Sequence, residues 1–575
     1  MTAAGRAASP RTRSPGSGAP GSRSTGSRSP GSRAPGASLG RSIDELCAPW
    51  ARDGSPGCVV AVIRGGEVLH CRGYGLADRE RRVPLQPGTV FELGSLAKQL
   101  TAACVALLAA AGRLRLDDDV RDYLPEMRGH GDGITVAQLV HHTSGVRDYL
   151  ELLAFAGRRH LPVSPAQVLE LLGRQRGLNF KPGSAFRYSN SGYVLLAAIV
   201  ERAAGRPLAE VARTAIFEPL GMSGTAFAGD GRRDGGGDAA LAYWPSGGGF
   251  TADAGGGSDL AGDGGLRTTA EDACRWERNV HENRLEHGGP ELLRRLATPG
   301  RLDSGEPVPY AFGLFLGRLG RHPILYHGGT MGAYRAGLVR VPEHALSVLC
   351  LANLGTLDAV QVARRIAARC LGERLRPSPP PVRRPRPVLT AAQGTALAGL
   401  FRSTANGRIW RLSASDGELY AESGPLQARL TPAGAGRVRA DGAVAFTLTW
   451  RPRRDGSVTR LRFAADGEAA AALERLRETV LAPAALLEYT GSYACHELGV
   501  THEIRGGQGL LLLAMEGLPF VMPLAPTLRD EFTTQGVVIR FQRDAAGRVG
   551  GFAVSSPGVS ELPFVRETGA ADGHC

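Results

Sequence analysis

Two kinds of hydrophobic spacing alternate along the first two thirds of the chain. Cys58-Val-Val-Ala-Val-Ile63 and Val68-Leu-His-Cys71 are short apolar runs joined through Gly65-Gly66, a pattern that predicts a β-hairpin. A long apolar helix is expected from about Ser95 to Ala111, followed by helical stretches around 136–142, 165–175, 191–204 and 207–217. A glycine-rich loop at 247–265 comes next. Three strands near 323–329, 334–341 and 346–352 then lead into a closing helix at about 357–371. Strands at both ends with helices between them predict an α+β domain over 41–373. Its antiparallel sheet would draw on both ends of the domain, with flanking helices and a helical insertion.

The pattern changes after a linker at 374–389, whose residues 374–388, Arg-Leu-Arg-Pro-Ser-Pro-Pro-Pro-Val-Arg-Arg-Pro-Arg-Pro-Val, predict a stiff basic segment of polyproline character. Beyond it, short strands and turns repeat. Gly399-Leu-Phe401 matches Gly491-Ser-Tyr493 and Asp416-Gly417 matches Gln508-Gly509, both at an offset of 92, and Asp455-Gly456 and Ala546-Gly547 continue the repeat at 91. Two copies of one small all-β, barrel-like module are expected, at 390–470 and 484–568. At the other end, residues 1–40 repeat Gly-Ser-Arg within a Ser/Pro/Gly/Arg tract that has almost nothing to bury, so a disordered basic tail is expected.

Composition narrows the function classes. The formal charge is +13, but six arginines and no acid lie in the first 40 residues, leaving +7 for the remainder and weakening a nucleic-acid reading. Nine scattered cysteines without Cys-x-x-Cys spacing argue against a zinc site or a disulfide framework, and no metal or other cofactor is expected. No apolar run approaches the ~18 residues of a membrane span and no leader-type apolar region opens the chain, so a cytoplasmic protein with no membrane partner is expected.

Against this background the lysines stand out. Only Lys98 and Lys181 occur, beside 66 arginines (68 minus 2), and Lys98 lies three residues after Ser95 in Phe91-Glu-Leu-Gly-Ser95-Leu-Ala-Lys98. An amine can lose its proton under burial, whereas a guanidinium effectively cannot. At a helix start, residues three apart share a face, so the amine can take the hydroxyl proton while free N–H groups meet a developing oxyanion. Taken alone, Ser-x-x-Lys also fits a helix cap beside a surface lysine.

Two further segments carry candidate chemistry. Lys181-Pro-Gly-Ser-Ala-Phe-Arg-Tyr188-Ser-Asn190 leads into an apolar helix, with Tyr188 a possible phenolic acid/base and Asn190 a possible contact for a substrate carbonyl. In isolation this is a turn with an N-cap, and Lys181 a surface turn residue. Leu325-Tyr-His327-Gly-Gly329-Thr330 closes one strand before the next, and its small residues would let a substrate lie along a strand edge. By itself it is a hairpin turn.

Together, in this order and at these separations, the three segments resemble the boxes of the penicillin-recognising serine hydrolases. That family includes class C β-lactamases, D,D-carboxypeptidases, D-aminopeptidases and related esterases. Ser95-Leu-Ala-Lys98 looks like its Ser-x-x-Lys box, Tyr188-Ser-Asn190 its Tyr-x-Asn box, and His327-Gly-Gly329 the His-x-Gly variant of its Lys-Thr-Gly box. Connecting segments such as Ile134-Thr-Val-Ala-Gln-Leu-Val-His-His142-Thr-Ser-Gly145 and Gly264-Gly-Leu-Arg-Thr-Thr-Ala-Glu-Asp272 match as well, so the likeness covers about residues 42–371. It implies an acyl-enzyme hydrolase of esters or amides, including D-amino-acid peptides. Ser95 would be the nucleophile, and Lys98 and Tyr188 would share the proton. Asn190, His327, Gly329 and Thr330 would bind substrate, with the Ser95 and Thr330 amides as the oxyanion hole. His142 is implied to shape its loop.

Histidine at 327, where classical β-lactamases carry lysine, makes β-lactam turnover doubtful. A catalytic unit followed by two β-modules is also similar to D-aminopeptidase architecture, in which a barrel loop restricts the active site. The substrate is expected to be a small molecule or short peptide, and the sequence leaves the oligomeric state open. The rival from another class is a non-catalytic peptide- or muropeptide-binding scaffold on the same fold. His141-His142 lacks ligand-spaced partners and is read as structural.

Overall fold

The computed structural model describes residues 35–567 apart from 131–132, 232–238, 255–259, 286–288, 373–388, 406, 416–417, 424–425, 435, 441–445, 466–469, 478–480 and 508. The tail up to residue 34, the proline-rich linker, residues 255–259 of the glycine-rich loop and the repeat residues Asp416, Gly417 and Gln508 therefore lie outside the described residues.

Six strands form the central sheet: β1 (Cys58–Arg64), β2 (Glu67–Tyr74), β3 (Phe315–Leu319), β4 (His322–Met331), β5 (Tyr334–Val341) and β6 (Leu346–Ala352). Their order is β3-β4-β5-β6-β1-β2, antiparallel throughout. The two ends of the domain meet where β1 lies on β6, from Cys58 opposite Ala352 to Arg64 opposite Leu346. Both strands are apolar at nearly every position because both faces of the sheet are covered. Val60, Val62, Val348 and Cys350 point to one layer, with Ile43 and Leu46 of helix α1 (Pro35–Cys47) and Val362 and Ile366 of the C-terminal helix Ala359–Cys370. Val59, Ala61, Ile63, Leu349 and Leu351 point to the other layer, with Val105 of helix α2 (Lys98–Ala110) and Trp276 of helix Ala270–Glu282.

The apolar segment expected to be helical from Ser95 opens instead as a 3₁₀ turn, Gly94–Ala97, before α2 begins at Lys98. Helix α2 is buried on nearly all sides, which explains its lack of a polar face. A buried cluster ties it to the sheet. Arg340 of β5 donates to both carboxylate oxygens of Glu277 at 2.7 and 2.6 Å and to Gln99 of α2 at 2.8 Å, and Trp276 Nε1 donates to the same Gln99 oxygen at 3.0 Å. The helix that starts with Lys98 is thus fixed against the strands that flank the active site.

The inserted helices include α3 (Tyr149–Phe155) and α4 (Asn190–Ala204), the latter stopped by Gly205 in the left-handed region at φ 72°. Farther along, eight strands between Gly399 and Arg475 close into one barrel and eight between Gly491 and Arg566 into a second. Phe401, Trp410, Phe446 and Phe463 fill the first, and Tyr493, Phe532, Phe541, Phe552 and Phe564 fill the second. Phe401 and Tyr493, matched by the sequence repeat, occupy the opening strand of each.

The second barrel packs on the insertion. Arg147 and Glu497 form a buried pair at 2.8 Å, His502 Nε2 lies 2.7 Å from the Phe155 carbonyl, and a side chain at Gly157 would strike the Glu516 carbonyl at 2.2 Å. The eight described cysteines are free thiols. Among the described residues no helix is long and apolar enough to cross a membrane.

Candidate active site

Backbone contacts decide where Ser95 sits. Gly94 adopts φ 51°, and a Cβ there would lie 2.6 Å from both N and O of Thr330. On the opposing strand, a Cβ at Gly329 would lie 1.8 Å from the Leu93 carbonyl oxygen. Strand β4 and the 3₁₀ turn therefore touch main chain to main chain, which only glycine at both positions permits. This contact sets Thr330 beside the turn that carries the half-buried Ser95.

Lys98, fully buried, faces Ser95 from the next turn. Its Nζ donates to Ser95 Oγ at 3.0 Å, to Asn190 Oδ1 at 2.9 Å and to the Asp263 carbonyl at 2.8 Å. Three acceptors match the three N–H bonds of an ammonium, and release of one proton leaves a lone pair that can be directed at the serine hydroxyl. Asn190 opens α4, so the helix start that the sequence marked by Tyr-x-Asn brings its amide to the lysine. Asp263 comes from the segment before strand Leu266–Thr269, and its carboxyl accepts from Tyr149 Oη at 3.1 Å. Burial pushes that carboxyl above the usual range.

Tyr188 borders the lysine. Lys98 Nζ lies 5.0 Å from its ring centroid and 5.6 Å from that of Tyr193. The Tyr188 hydroxyl is buried and makes no hydrogen bond among the described residues. His142 packs against Tyr188 with the rings tilted by 39° and their centroids 4.4 Å apart, and at φ 58° it turns the chain so that its Nδ1 accepts from Ser189 N at 3.2 Å. It acts as packing behind the tyrosine.

His327 projects from β4 into the same aromatic group. Its Nε2 is 3.1 Å from Tyr310 Oη and its Nδ1 is 2.5 Å from the Gly328 carbonyl. Burial, then the charge of Lys98, lowers it to about 3, while burial holds Tyr310 well above the ordinary phenol value. The phenol therefore donates to Nε2, Nδ1–H donates to Gly328, and the imidazole is neutral. It offers no positive charge to a substrate carboxylate.

This has a consequence for acid stability. Below about pH 6.5 the unfolded chain protonates His327 while the folded chain does not, so stability falls as pH drops from there toward the folded value. By pH 5 this one residue accounts for about 2 kcal/mol of lost stability. Denaturant titrations at pH 7 and pH 5 are expected to show His327→Gln losing about 2 kcal/mol less than the parent across that interval. An unchanged loss would place the charged imidazole in the folded state.

The structure brings Ser95, Lys98, Asn190, Tyr188, His327, Gly329 and Thr330 around one site, with Lys181 exposed outside it. Sequence reasoning missed Tyr310, Asp263 and Asp148, the last of which accepts from Asn190 Nδ2 at 3.0 Å. Tyr310 could have been flagged by the aromatic Pro309-Tyr-Ala-Phe312 stretch ahead of Gly313, whereas the aspartates carry no local signal. As for metals, His322, Glu343 and His344 hold their ligand atoms within 4.8 Å of one another, at the opposite end of β4 from Gly329. There Arg321 Nε donates to His322 Nε2 at 3.4 Å, and that guanidinium opposes a cation.

Comparison with known proteins agrees with this geometry. The beta-lactamase family profile matches residues 44–372. A D-aminopeptidase of Gluconobacter oxydans (strain 621H) is 30% identical over 467 residues, 80% of this chain and 83% of that protein. The D-aminopeptidase of Brucella anthropi is 31% identical over 326 residues, 55% of this chain and 59% of its own length. Among solved structures, the octameric penicillin-binding protein homologue from Pyrococcus abyssi aligns with a TM-score of 0.53 at 22% identity, over 76% of this chain and 99% of its own, a likeness of fold. The chain belongs to the beta-lactamase family, and it is a serine hydrolase.

Proposed function

We propose that this hydrolase acts as a D-aminopeptidase or a closely related esterase, on a small-molecule or short-peptide substrate in the cytoplasm. The observation that carries the reading is the buried Lys98 amine 3.0 Å from Ser95 Oγ. Ser95 Oγ attacks the amide or ester carbonyl as its proton passes to the Lys98/Tyr188 pair. The Ser95 and Thr330 amides receive the oxyanion. The leaving amine or alcohol takes the proton as the carbonyl re-forms, and water then attacks the acyl-Ser95 ester with the same pair as base.

The D-aminopeptidase assignment is supported by the Gluconobacter relative, whose match extends beyond the catalytic unit. The neutral His327 argues against substrates that must dock a carboxylate on a cation, as β-lactams do. Parallel kcat/KM measurements on a p-nitrophenyl ester, D-alanine p-nitroanilide, its L-enantiomer and nitrocefin test the reading. Esters are expected first, the D-anilide well ahead of the L-anilide, and nitrocefin last. Equal turnover of the two anilides would remove the D-specificity, and fast nitrocefin hydrolysis would overturn the weight given to His327.

A further inference from the structure

Asn190 can serve Lys98 only with its oxygen toward the amine, because the reversed amide would aim N–H bonds at a group that itself donates. Asp148 fixes that orientation. Its Oδ2 accepts from Asn190 Nδ2 at 3.0 Å and from Asn190 N at 2.6 Å, and its Oδ1 accepts from Leu150 N at 3.0 Å. One buried carboxylate thus caps α3, closes the start of α4 in place of the Ser189 side chain, and sets the Asn190 rotamer.

Asp148 is in turn held from outside the catalytic unit. Its backbone N–H donates to the carbonyl of Gly558 at 2.9 Å, in the 556–561 turn that joins the last two strands of the second barrel. That turn is bound on every side. Asn179 Nδ2 donates to the Gly558 carbonyl at 2.9 Å, Gly558 N donates to Glu151 Oε2 at 2.9 Å, and Ser560 N donates to Asn179 Oδ1 at 2.7 Å. Arg187, the neighbour of Tyr188, donates to Ser560 Oγ at 2.7 Å. A Cβ at Gly558 would lie 2.7 Å from Asp148 Cβ, so the turn and the aspartate cannot both keep their places if Gly558 gains a side chain.

We propose that Asp148 is a positioning residue for the Lys98 base, and that the 556–561 turn of the second barrel holds it there, making that barrel a working part of the active site. The proposal rests on the reading of Ser95 and Lys98 as nucleophile and base. The chain of contacts runs Gly558 to Asp148 to Asn190 to Lys98, and a displacement at its outer end moves the acceptor at its inner end. A misplacement of about 1 Å in such a shell costs on the order of a hundredfold in rate.

The test compares Gly558→Ala and Asp148→Asn with Gly550→Ala, a control in the strand entering the same turn, where a Cβ meets nothing closer than 4.0 Å. With a p-nitrophenyl ester as substrate, the two former variants are expected to lose about ten- to a hundredfold in kcat with KM within about threefold of the parent. Their rate of Ser95 labelling by a fluorophosphonate should fall in parallel. Gly550→Ala should keep the parent values. If Gly558→Ala fails to fold, as judged by circular dichroism, Asn179→Ala, which removes the two side-chain bonds to the turn and leaves Asp148 intact, takes its place with the same expected loss.

Parent kcat and labelling rate in the folded variants would overturn the proposal and leave the Ser95 reading standing. A raised KM at parent kcat would also overturn it, since the turn would then act on substrate entry. Hydrolysis by the parent that survives Ser95→Ala would instead remove the reading beneath it.

Discussion

Ser95→Ala lowers kcat by about 10⁴ or more on every substrate the protein turns over, with little change in thermal stability. The size follows from covalent catalysis: without Oγ no acyl-enzyme forms, and only positioning and oxyanion stabilisation remain, as for other serine nucleophiles. Stability should hold because Ser95 is half-buried in a 3₁₀ turn fixed by glycine contacts and not by its own side chain. Its hydroxyl bonds Lys98, which keeps Asn190 and the Asp263 carbonyl as partners in the variant. Steady-state kinetics beside a melting curve checks both halves. A variant within about tenfold of the parent would require another nucleophile.

Lys98→Arg comes close to that loss, at about 10³ or more in kcat, although it preserves the positive charge. The guanidinium cannot accept a proton from Ser95 at neutral pH, and its planar fork does not match three acceptors gathered around one nitrogen. Lys98→Met, which removes the charge and keeps similar length, is expected to be as inactive. An arginine variant that retains most of the activity would show that the lysine works through charge alone and would end its assignment as base.

Parts of this site were legible from residue spacing because the chemistry is local. Ser95 and Lys98 lie three apart at a helix start, and Tyr188 lies two residues before Asn190, which opens α4. Asp148 and Asp263 were not legible, since each acts on a partner far along the chain. Asp148 reaches Asn190 across 42 positions, and Lys98 finds the Asp263 carbonyl across 165. No hydrophobic period encodes such meetings.

The fold shows the same division. The apolar runs of β1 and β6 announced strands of one sheet drawn from both ends of the domain, and the offset of 92 between Gly399-Leu-Phe401 and Gly491-Ser-Tyr493 announced the two β-modules. Strand β3, with the short sequence Phe-Leu-Gly-Arg-Leu, has too few residues for a readable alternation. The seating of the second barrel on the insertion depends in part on backbone groups of Gly558 and Ser560, which carry no compositional signature.

The most direct test of the central claim, a serine hydroxyl activated by the amine one turn away, is peptide mapping after reaction with a fluorophosphonate. Stoichiometric phosphonylation of the peptide containing Ser95 is expected, with its rate cut at least a hundredfold in Lys98→Arg and its adduct absent in Ser95→Ala. Modification of a different residue, or parent-rate labelling of Ser95 in Lys98→Arg, would contradict that claim.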